Sequence, residues 1–128
     1  MEDTQTAQLL MDILLQNKIM GSMAATKVMR KLPAISYSDK IDVNGMDLFD
    51  VSQELLQSYG RIVGTDNINR VICAIVGSGA MNMNPAALVV RTEEGVVYAS
   101  AAAKEGLIKQ RTAEKAVNHF FDLLKSKI

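Results

Sequence analysis

Residues 71–76 read VICAIV, six apolar residues in a row, with β-branched side chains at Val71, Ile72, Ile75 and Val76. An apolar run with no polar alternation, rich in β-branched residues, is the pattern of a central strand covered on both faces. Two further apolar runs follow, at 86–90 and 96–99, separated by Arg91-Thr92-Glu93-Glu94-Gly95. That spacing predicts a hairpin in which Gly95 takes the positive φ that side chains disfavour. These runs form an antiparallel meander of at least three strands.

The connection between the first two strands, residues 76–85, reads VGSGAMNMNP. A phosphate cradle needs backbone N–H groups leading into a helix N-terminus, usually with a lysine. After Gly77-Ser78-Gly79 there is no lysine, and Pro85 hinders an extended helix. A dinucleotide fingerprint also fails, because the third glycine is missing and the chain returns to β structure. Glycine for backbone freedom and asparagine for turn bonding make this a strand connection. If it has a ligand, Ser78, Asn82 and Asn84 offer polar contacts and Met81 and Met83 adaptable apolar walls, suited to a small apolar or amide-like molecule.

Beyond the meander, Ala113, Ala116, Val117, Phe120 and Leu124 make the apolar stripe of a helix whose Glu114, Lys115, Asn118, Asp122 and Lys125 face water. Its His119 is the one histidine in the chain. General-base work would require a partner and a cleft for it. Before the meander, Leu48, Val51, Leu55 and Tyr59 share one face of a helix that Asp47 can cap. Gly60 then stands where a helix-ending left-handed residue is expected.

The connector at 34–45, AISYSDKIDVNG, has room for a short strand near 35–37 or 41–43. Ahead of it, Ala25, Val28, Met29 and Leu32 follow helical spacing up to Pro33, with Lys27, Arg30 and Lys31 on the other face. The first helix runs from a cap at Thr4 or Thr6 to about Asn17. Its Leu9, Leu10, Met11, Ile13 and Leu14 spread over more than one stripe, so cover is expected from both the domain core and a partner chain.

The expected fold is therefore a single α+β domain over residues 1–128. It is a two-layer domain with a helical N-terminal half, a small antiparallel β-meander and a C-terminal amphipathic helix. A small apolar sheet has two edges to protect, which points to a homo-oligomer. The order of helix, meander and final amphipathic helix over 46–126 resembles the second half of the roadblock/longin-type interaction domains. That resemblance implies dimerisation and scaffolding of regulatory complexes, although the helical first 33 residues depart from the family's early β-hairpin.

Composition narrows the function classes. The chain has 128 residues, 48% hydrophobic, with 14 Lys plus Arg against 14 Asp plus Glu. No net field draws it to nucleic acid or to an anionic membrane, so only the patch Lys27, Arg30 and Lys31 supports a dimeric nucleic-acid-binding regulator. No apolar run approaches the roughly 18 residues of a membrane span, and the acidic N-terminal MEDTQ is unlike a signal peptide. Together with a lone cysteine, Cys73, this fits a cytoplasmic protein.

Cys73 lies within VICAIV, where burial makes a thiol inert. One histidine and one cysteine on separate elements make no metal site, and Asp39, Asp42, Asp47 and Asp50 lack calcium-loop spacing. No cofactor is expected. The leading reading is a non-catalytic oligomeric assembly or regulatory module acting through protein–protein contacts. A small-molecule-binding protein or minor enzyme with a pocket at a subunit interface is the alternative.

Overall fold

The computed structural model describes residues 3–16, 34–78, 84–104 and 111–128. In chain order they form α1 (Asp3–Gln16), β1 (Ala34–Asp42), α2 (Phe49–Tyr59), β2 (Gly60–Asp66), β3 (Val71–Ser78), β4 (Asn84–Glu93), β5 (Val96–Lys104) and α3 (Thr112–Lys125). The strands make one antiparallel sheet in the order β1-β5-β4-β3-β2. This is the expected α+β architecture: an N-terminal helix, an antiparallel meander and a closing helix.

The pleat sorts the sheet's side chains between two environments. Ile72, Ala74 and Val76 of β3, Ala86, Leu88 and Val90 of β4, and Val97, Ala99, Ala101 and Ala103 of β5 face the main core. There they meet Leu55 and Leu56 of α2 and Val117, Phe120, Phe121 and Leu124 of α3. The small residues of β5 let the large side chains of α3 settle close to the sheet. The stripe on α3 is the expected one, with Ala113, Ala116, Val117, Phe120 and Leu124 all buried.

The two-layer packing expected of the meander and its helices describes this face. The opposite face carries a further layer, α1, which lies over β1, β4 and β5. Its Ala7 packs with Val89 and Ala102, and its Met11 with Ala87, Leu10 and Ile75. Both faces of VICAIV are therefore occupied: Ile72, Ala74 and Val76 are buried under α2 and α3, while Val71, Cys73 and Ile75 are half-buried on the α1 side.

Two strands extend the meander. In β1 the alternation Ile35, Tyr37, Ile41 against Ser36, Ser38, Lys40 runs through nine residues, longer than the short strand its sequence suggests, because pairing with β5 is continuous from Ala34 to Asp42. In β2 the chain turns straight out of α2. Gly60 does not take the left-handed conformation expected of it: its φ is −133° and it already pairs with Val76. Glycine is needed there for space, since a Cβ would meet the Ile75 carbonyl oxygen and Val76 Cγ1 at 2.9 Å each. Gly95, by contrast, has the expected positive φ, 76°. The expected helix around 25–32, and with it Lys27, Arg30 and Lys31, lies outside the described residues.

Candidate functional site

The α1 side of the sheet is where polar chemistry and exposed apolar surface come together. Helix α1 is tied down along its length. Near its start Asp3 pairs with Arg91 at 3.2 Å. Thr4, Ser38 and Ser100 then form a line of hydroxyls, with Ser38 Oγ and Ser100 Oγ 2.8 Å apart and Thr4 bonded to Ser38. Gln8 donates to Ser36 Oγ at 3.1 Å, and Asp12 pairs with Lys104 at 3.1 Å. The period of the helix brings residues 4, 8 and 12 down one side onto β1 and the end of β5, while Ala7 and Met11 fill the apolar gap beside them.

With that underside occupied, the other side of α1 faces outward. Leu9 is 48% exposed and Ile13 44% exposed, one turn apart on the same face. Of the five residues singled out as an interface, these two stand outward. Leu10 is half-buried, and Met11 belongs to the intramolecular core. Leu14 is in the helix, but its side chain lies outside the described residues.

A recess of about 750 Å³ opens beside the start of α1, lined by Asp3, Thr4, Lys40, Arg91, Tyr98 and Ser100, among others. Two of its charged groups, Asp3 and Arg91, pair with each other. Arg91 holds Asp3 and Glu93 and lies with its guanidinium carbon 4.1 Å from the centre of the Tyr98 ring, as in a cation–π contact. The neighbouring Cys73 thiol is pushed above its ordinary pKa, first by burial and then by the negative charge of Asp3. Such a thiol is a poor nucleophile.

His119 does face a groove, of about 750 Å³, between α2 and α3. Its ring meets Tyr59 edge-on, with centroids 5.3 Å apart and planes at 86°. Burial raises the Tyr59 pKa, and the phenol oxygen has no hydrogen-bond partner. The groove's two serines donate their hydroxyls to helix carbonyls, Ser58 to Leu55 and Ser126 to Leu123, at 2.6 Å each. A nucleophile needs a base within hydrogen-bond reach, and these hydroxyls are committed elsewhere.

Both ends of VGSGAMNMNP are strand and pair with each other, Gly77 opposite Pro85 and Ser78 opposite Asn84. Met81, Asn82 and Met83 lie outside the described residues, as do the side chains of Ser78 and Asn84. Among the described residues no group of three or more His, Cys, Asp or Glu side chains is placed to hold a metal ion. No described helix is long and apolar enough to cross a membrane. Comparison with known proteins yields no relative: no family model, no curated protein and no solved structure matches the chain.

Proposed function

We propose that the chain is an oligomeric assembly module that works through protein–protein contacts, with the outward face of α1 as a contact surface. The observation that carries this reading is the pair Leu9 and Ile13, held outward on a helix whose opposite side is already filled by the sheet. Aliphatic side chains one turn apart and half in water are the start of an apolar seam, and pairing that seam removes them from solvent. The polar ties from Asp3, Thr4, Gln8 and Asp12 fix the helix in place, so its outer face is presented ready-ordered and little entropy is lost on docking.

The test is Leu9→Glu, read by native mass spectrometry and by circular dichroism. The substitution is on the exposed face, so the folded spectrum is expected to stay as it is while the assembly loses mass. An unchanged mass with an intact fold would remove α1 from the interface.

A further inference from the structure

The attachment of α1 to the sheet differs in kind from that of α3. Among the described side chains of α1 only Ala7 and Met11 are fully buried, whereas α3 buries seven residues, Phe120, Phe121 and Leu124 among them. The apolar clusters under α1 are small and separate from the main core, which lies on the opposite face of the sheet and contains no described α1 residue. Loss of α1 therefore leaves that core whole.

Charge supplies much of the remaining hold. The helix carries two charged residues, Asp3 and Asp12, both acidic. At about 3.6 residues per turn their spacing amounts to roughly two and a half turns, so they project from opposite flanks of the helix. Each meets a cation of the sheet: Asp3 the Arg91 guanidinium of β4 at 3.2 Å, and Asp12 the Lys104 ammonium at the end of β5 at 3.1 Å. The Lys104 side chain is only 8% exposed, against 51% for Asp12. Taking the carboxylate away from a buried cation costs more than breaking a pair on open surface.

We infer that α1 is a releasable strap, an acidic helix clamped at its two flanks by ion pairs, which leaves the sheet while the main core stays folded. A helix of 14 residues is marginal by itself in water, so release also melts it. What it uncovers is the second face of the sheet, with Cys73, Ile75, Ala87, Val89 and Ala102. The same event removes the backing that holds Leu9 and Ile13 outward, so assembly through that surface requires the clamp to be shut. The strap itself is a property of the single chain and does not depend on assembly.

Native-state hydrogen exchange of the full chain tests it, at a dilution where native mass spectrometry finds single chains. The α1 amides are expected to exchange through a local opening, about ten-fold or more faster than those of α3 and with little dependence on urea, because such an opening exposes little surface. Asp12→Asn is expected to speed α1 exchange about ten-fold and leave α3 exchange as it is, while Asp12→Glu, which keeps the charge, restores most of the protection.

If α1 and α3 exchange at one rate with one urea dependence, the helix leaves only when the whole domain unfolds, and the strap is overturned. An Asp12→Asn chain that fails to fold overturns it as well, because the main core is expected to survive without α1. A native chain that is monomeric at every dilution would defeat the assembly reading and leave the strap standing.

Discussion

Ser52 and Tyr59 carry hydroxyls that are shut away from water without a hydrogen-bond partner. An unpaired buried polar atom costs on the order of 1–3 kcal/mol, so removing it should do no harm. Ser52→Ala and Tyr59→Phe are each expected to leave the melting temperature unchanged or raise it, by thermal unfolding. Gly60 is the opposite case, because the atom a new Cβ would meet is the Ile75 carbonyl oxygen, held within the β2–β3 pairing. Gly60→Ala should destabilise by about 1–3 kcal/mol, the usual penalty of overpacking, measured by urea unfolding.

At the β2–β3 turn, the Asp66 carboxylate accepts hydrogen bonds from the Asn69 backbone and side chain and from the Ile68 N–H, and they hold its pKa below the ordinary value. A depressed folded pKa means that its support for the turn is present above the unfolded-state value and fades as pH falls through the folded one. Titration of its carboxyl carbon by NMR should give a midpoint below that of a free aspartate. A midpoint at the free value would show that these bonds do not persist in solution.

Among the elements, α3 and the inner strands are plain in the sequence because each has one dominant neighbour. The stripe Ala113, Ala116, Val117, Phe120, Leu124 needs only a sheet to face, and VICAIV needs cover on both sides, which it has. The edge strands are harder to read. In β2, GRIVGTD has one inward apolar side chain, Ile62, and a bulge that breaks its alternation, so no period-2 signal survives. In β1, Asp39 interrupts the apolar side of the alternation, and only pairing with β5 makes the strand continuous.

Helix α1 is half legible: its excess of apolar residues signals two contacts, but the side that meets the sheet is chosen by Ala7 and Met11 and by the polar partners Ser36, Ser38 and Lys104, far away in sequence. The surface at Leu9 and Ile13 is foreseeable on those terms, whereas the groove beside His119 is not, because Tyr59 reaches it from another helix. Truncation should separate the two kinds of apolar residue. Phe120→Ala, fully buried, is expected to cost about 3–5 kcal/mol, and Leu9→Ala should barely change the stability of the isolated subunit while weakening its assembly. Denaturant unfolding below the association range checks the pair.

For the whole molecule, α1 turns apolar side chains outward, the recess beside it holds the Asp3–Arg91 pair, and the groove's serines are bonded to helix carbonyls. Leu9 and Ile13 line the outside of one layer, and β2 ends the sheet. A chain that works by joining copies or partners reveals itself by its mass in solution. Native mass spectrometry of gently purified protein, repeated over a dilution series, is predicted to show an integral multiple of the chain mass that gives way to the single chain on dilution. A single-chain mass at every concentration, with a small molecule released on denaturation, would contradict the assembly account and place ligand binding first.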